Sequence, residues 1–115
     1  MGDKINIGIQ GEKMASAHLM EKGYEIIICN YRYKHSEIDI VAKIDDILVF
    51  VEVKARSSSS FGNPEEAVNE KKIAKIIQGA EHYIYDNDWH GRIRFDIIAV
   101  ELPSNKITHF EDAFG

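Results

Sequence analysis

The spacing of hydrophobic and polar positions changes several times along this chain, and each change marks an element. The spacing predicts a first helix from about Asn6 to Lys22, closed by Gly23 with Lys22 in its last turn. Gly8, Glu12, Ala15 and Leu19 recur at i, i+4, i+7 and i+11, so they share one face. Glu12 thus interrupts a stripe of small or apolar residues. An isoleucine-rich strand from Tyr24 to Tyr31 follows, and Cys29 within it reads as a small core residue. In Glu37 to Ile44 the residues Ile38, Ile40 and Ala42 alternate with Glu37, Asp39 and Val41. Asp45-Asp46 reverses the chain into Ile47 to Arg56, an almost unbroken apolar run of the kind covered on both faces of a sheet. There Leu48, Phe50, Glu52 and Lys54 point one way and Val49, Val51, Val53 and Ala55 the other, so two charges close an apolar row.

Beyond Ser57-Ser58-Ser59-Ser60, Asn63 and Pro64 offer a helix cap and first position, with Glu65-Glu66 at the positive end of the dipole. The helical period then runs through Ile73, Ile76, Ile77, Ala80 and Ile84, with an interruption near Asn69. Asp86 to Gly91 reads as a loop, Arg92 to Leu102 as a strand, Pro103-Ser104-Asn105 as a turn and Ile107 to Phe110 as a last short strand. The order α-β-β-β-α-β-β predicts an α/β (α+β) domain, a mixed sheet with helices packed on it.

At 115 residues the chain supports one domain, spanning 1–115, that buries roughly two-thirds of its unfolded surface. The balance of 44% hydrophobic and 29% charged residues excludes disordered and collagen-like classes. A single cysteine forms no internal disulfide, no apolar run approaches the ~20 residues of a membrane span, and the first residues lack a signal-peptide pattern. The expected compartment is the cytoplasm. The net charge of -5 argues against coating nucleic acid by bulk charge, but it leaves room for a local basic groove or a metal-neutralised acidic cluster.

Asp39 followed by Glu52-Val53-Lys54, with Glu12 upstream, is the constellation with chemical potential. Adjacent strands joined by a tight turn can converge two carboxylates, which with an open position for water is what Mg²⁺ requires. Such an ion polarises a phosphoryl oxygen and lowers the pKa of water. Lys54, on the same face as Glu52, could orient that water or offset charge on the phosphate, and Glu12 could reach the ion through water. The competing reading makes Glu52 and Lys54 a cross-sheet ion pair and Asp39 an exposed strand residue. The five histidines show no zinc-ligand spacing, and there is no phosphate-binding glycine loop or nucleophile elbow.

These residues resemble a family. Gly11-Glu12, Asn30-Tyr31-Arg32, the run Ser36 to Ala42, the run Val49 to Arg56 and Arg94-Phe95-Asp96, in that order, look like the YraN-like family of uncharacterised bacterial proteins. The family is assigned to the PD-(D/E)XK nuclease-like superfamily and is similar to archaeal Holliday-junction resolvases and Mrr-type restriction nucleases. The resemblance implies a three-layer restriction-endonuclease-like fold in which Asp39, Glu52 and Lys54 match the nuclease motif and Glu12 the helix-one acid. It also implies Mg²⁺ or Mn²⁺ held by Asp39, Glu52 and the carbonyl of Val53. Two departures stand out: Ser36 occupies a position where glycine is usual, and Gln78 and Tyr83 miss the Gln-x-x-x-Tyr spacing of the RecB-like branch.

The expected activity is a metal-dependent endonuclease acting on DNA, branched or otherwise structured DNA among the candidates. A module that binds nucleic acid without cutting is the alternative, and an ion-pair network without either activity the third reading. Expected phosphate anchors are Arg32 and Lys34 before the Asp39 strand, Arg56 and Ser57 after Lys54, and Lys71 and Lys75 on one helix face, whose competing role is a solvated surface. Arg92 and Arg94 are expected to point outward near the carboxylates. A homodimer placing two sites on two strands, and no membrane, complete the expected partners.

Overall fold

The structure, a computed structural model, describes residues 2–57 and 69–115. Helix α1 (Gly2–Glu21) leads into strands β1 (Glu25–Tyr33), β2 (Ser36–Ile44) and β3 (Ile47–Arg56). Helix α2 (Glu70–Asp86) and strands β4 (Arg92–Glu101) and β5 (Lys106–Phe110) follow. The five strands lie in the sheet in chain order. Neighbours pair antiparallel except β3 and β4, which are parallel because α2 carries the chain across between them. This is the α-β-β-β-α-β-β mixed sheet expected from the sequence, with β3 at its centre.

The alternation along β3 divides the core. Val49 and Val51 face α1, packing with Ala15, Leu19, Ile98 and Val100. Leu48 and Phe50 face α2, packing with Ile76, Ala80 and Tyr83. Sheet and helices therefore make three layers, the nuclease-like arrangement. α1 approaches the sheet closely: a methyl group at Gly11 would lie 2.5 Å from Ala55 Cβ. On the other face Gly79 of α2 leaves no room for a Cβ against Ser36 Oγ. That hydroxyl is buried and donates to the Lys75 carbonyl at 2.6 Å, so the serine in place of glycine ties β2 to α2.

Several expectations are corrected. β1 is an edge strand, so Cys29 is exposed, as are the flanking Ile27 and Ile28. The buried stripe of α1 is Gly11, Ala15 and Leu19, whereas Gly8 is exposed and Glu12 sits at the margin, half-buried. The interruption expected near Asn69 is present: α2 begins at Glu70, and Asn69 Oδ1 accepts from the Lys72 N–H at 2.9 Å. The proposed cap at Asn63 and Pro64 lies outside the described residues. Arg92 pairs with Asp46 at 2.7 Å at the opposite end of β3 from Lys54. Arg94 does not point outward. It is held by Asp96, which is fully buried and also accepts from His109 and the Asp112 N–H, and its second contact is the Tyr24 hydroxyl. This cluster fastens β4, β5 and the C-terminal segment together.

Candidate active site

β2 and β3 pair from Ile44↔Ile47 to Ile40↔Val51. At the next position the Asp39 carboxylate takes the place of a backbone partner, accepting from the Val53 N–H at 2.8 Å. This contact turns Asp39 toward Glu52, the next residue of the α2-facing row begun by Leu48 and Phe50. Glu52 is only 4% exposed, since the strand that carries it is central. Its Oε2 lies 3.5 Å from Lys54 Nζ and also pairs with Lys72 Nζ, from the first turn of α2. The four side chains stand at a cavity of about 540 Å³ to which Lys71, Lys75, Asn69, His35 and Glu37 also contribute.

The electrostatics follow from the crowding. Burial, and then the charge of Glu52, push the Asp39 carboxyl up from 3.8 to about 7, against the opposing effect of the Val53 N–H. The two carboxyl groups are close enough to share a hydrogen bond, and the charge of Glu12 adds in the same direction. Burial, and then the adjacent Lys72 amine, hold Lys54 below the ordinary lysine range. Burial pulls the Lys72 amine down most, but its hydrogen bonds to Glu52 and Lys54 and the charges of Glu52 and Asp39 together outweigh this and the net direction is up. Two neighbouring carboxyl groups at the wall of an open cavity, with Asp39 pushed up by burial and by the charge of Glu52, form a hard-oxygen donor set whose repulsion a divalent cation would relieve. Mg²⁺ needs only one or two carboxylates when waters and phosphate oxygens complete its shell, so Asp39, Glu52 and the Val53 carbonyl fit such an ion.

Asp39, Glu52, Val53 and Lys54 are thus brought together, with Lys71 and Lys75 on the same cavity. Glu12 stands on the helix of the other layer, its Oε1 accepting from Asn30 Nδ2 at 3.1 Å, and does not line the cavity. Nor do Arg32, Lys34, Arg56 and Ser57 line it. Arg32 is an exposed side chain 3.3 Å from Glu37 on the edge of the sheet. Lys34, in the β1–β2 turn, lies over the Tyr33 ring, which stacks on His82. Arg56 is half-buried at the end of β3, and Ser57 is exposed just beyond it. Tyr31 is edge-on to Tyr83 within the α2 core.

Lys72 is the site residue that sequence reasoning missed. A signal was present: Lys72 precedes Ile76 and Ala80 by four and eight residues, so the buried stripe of α2 runs back to it. A charge on that stripe has the same anomaly that singled out Glu12.

Residues 11–100 match uncharacterised protein family UPF0102. A UPF0102 protein of Alkaliphilus oremlandii is 48% identical to this chain over 115 residues, covering 94% of this chain and 97% of its own. One of Christiangramia forsetii is 40% identical, covering 99% and 98%. One of Clostridioides difficile is 49% identical over 105 residues, covering 90% and 92%.

Proposed function

Starting from a chain that belongs to the UPF0102 family and carries this cavity, we propose that it is a Mg²⁺- or Mn²⁺-dependent endonuclease acting on DNA. The observation that carries the reading is the Asp39–Glu52 pair: a carboxyl pushed up to about 7 by burial and its neighbour, with lysine amines beside it. Perturbed acids beside a specific charge partner in a cleft are characteristic of reactive sites. A bound Mg²⁺ or Mn²⁺ supplies charge neutralisation at a phosphoryl oxygen and acidifies water.

The chain's residues do the remainder. Asp39 and Glu52, with the Val53 carbonyl, would hold the ion, their backbones set by the β2–β3 pairing that runs up to Ile40↔Val51. Lys54 Nζ donates to the attacking water or to a non-bridging phosphate oxygen, placing positive charge where negative charge develops. Lys71 and Lys75 bind flanking phosphates across the mouth of the cavity. Glu12 supports the outer shell from α1, and Arg32, Lys34, Arg56 and Ser57 serve phosphates farther along the strand. A chain of 115 residues offers little surface for a duplex, so the proposal includes a homodimer that presents two sites to branched DNA. The cytoplasm is the proposed compartment; among the described residues no helix is long and apolar enough to cross a membrane.

A module that binds nucleic acid without cutting is the second reading. It draws on the small donor set, since among the described residues no three His, Cys, Asp or Glu side chains gather around one point. Labelled four-way, forked and linear DNA incubated with Mn²⁺ separates the two. Cleavage that Asp39→Ala abolishes supports the nuclease. Salt-sensitive binding without cleavage, retained in EDTA and in Asp39→Ala, supports the binding module.

A further inference from the structure

Lys54 and Lys72 converge on one oxygen, Oε2, of the Glu52 carboxylate that the nuclease reading gives to a cation. Glu52 Oε2 already meets two ammonium groups, so a divalent cation drawing on that carboxylate competes with them for its charge. Lys54 belongs to the central strand and its side chain is 22% exposed, whereas that of Lys72 is 40% exposed and extends from the first turn of a helix. Lys72 has the freer path. Its helix turn is fixed by the Asn69 cap and also carries Lys71, with Lys75 one turn later, all on the same cavity. An amine released from Glu52 therefore remains among phosphate-binding groups.

We propose that Lys72 is an internal counter-ion at Glu52 that a divalent cation displaces, and that the displaced amine then binds a phosphate of the nucleic acid. The inference rests on the cation reading above. It makes nucleic-acid affinity cation-dependent through one lysine: with Glu52 engaging Lys72, that amine is silent toward phosphate, and with the cation bound it is active. The chain thereby keeps its acidic pair neutralised until both ligands are present.

The test titrates Mn²⁺ by calorimetry into the full chain as wild type, Lys72→Met and Lys75→Met. Removing the competitor should tighten Mn²⁺ binding about tenfold in Lys72→Met, the worth of one charge-assisted hydrogen bond. Lys75→Met, which removes a charge from the same cavity but no contact to Glu52, should change it less than about threefold. Equal tightening in both variants would show a general field effect and overturns the inference, as does no tightening in Lys72→Met. Absence of Mn²⁺ binding in all three proteins instead overturns the cation reading itself. DNA binding supplies the second arm: Lys72→Met should lower the salt slope by about one in Ca²⁺ and leave it unchanged in EDTA. A loss of equal size in EDTA overturns the switch. Nitrogen-15 NMR of the wild-type lysine amines keeps the inference testable if Lys72→Met does not fold. The Lys72 signal should move to the position of a solvated amine as Mg²⁺ is added, and a signal that stays fixed while Mg²⁺ binds overturns it.

Discussion

Replacing Asp39 by asparagine should make the metal-free protein more stable at pH 8, the reverse of what an ion-pair network predicts. The Asp39 carboxyl is raised from 3.8 to about 7 in the folded chain, chiefly by burial and by Glu52. A raised folded pKa means that the native state binds more protons than the unfolded one between those values. Its stabilising contribution is complete below pH 3.8 and is lost as pH climbs toward 7. At 1.36 kcal/mol for each tenfold step in proton affinity, the full difference sets a ceiling of about 4 kcal/mol. Asp39 is half-buried and therefore partly screened by solvent, so about half of that, ~2 kcal/mol, is the expected gain. Asparagine keeps an oxygen to accept from the Val53 N–H, so the local backbone arrangement survives. In a chain of this length ~2 kcal/mol corresponds to a rise of about 8 °C in Tm. The assay is urea unfolding in EDTA at pH 4 and at pH 8 for both proteins. The advantage of Asp39→Asn should be small at pH 4 and fully developed at pH 8. If the variant is less stable than wild type at pH 8, or if the difference does not move with pH, Asp39 is an ordinary partner of the lysines and the electrostatic argument fails.

Four further outcomes are expected. Asp96→Ala leaves Arg94 and His109 buried without their shared acceptor and should lose about 3–5 kcal/mol in urea unfolding, with DNA and cation binding judged separately on the folded fraction. The wild-type Asp96 carboxyl is subject to burial, which pushes it up, but hydrogen bonds from His109 and Arg94 prevail and hold it below 3.8, so this stabilisation is present above that value and drains away as acid is added below it. Gly11→Ala forces a methyl group onto Ala55 and should cost about 1–3 kcal/mol, readable as a lower Tm. Glu52→Ala should abolish the heat of Mn²⁺ binding, and a retained signal of the same affinity would place the ion elsewhere.

The element order was legible from the sequence because each strand and helix carries its own period, and the tight reversal at Asp45-Asp46 fixes which strands are neighbours. The facing directions of β3 were legible too: a pleated strand alternates whatever surrounds it, so Glu52 and Lys54 share a side with Leu48 and Phe50. Strand order was not, and its consequences were read wrongly where they mattered. Isoleucines around Cys29 look like core, yet β1 lies at the sheet edge and leaves them half-covered, since local composition does not record what packs above a strand.

Arg94 shows the same limit for charge. Alternation puts Arg94 on one side of β4 with Asp96 two residues on, but the burial of that acid and the Tyr24 hydroxyl seventy positions away come from no local period. Lys72 lies nearer the boundary between the two kinds of knowledge: helical spacing set it on the inward stripe, and only the packing of α2 over β3 chose Glu52 as its partner. Periodicity is a property of a segment and survives translation anywhere in space. Contact between residues twenty positions apart depends on how layers close on one another, and that closure decided where the acids, the lysines and the cavity meet.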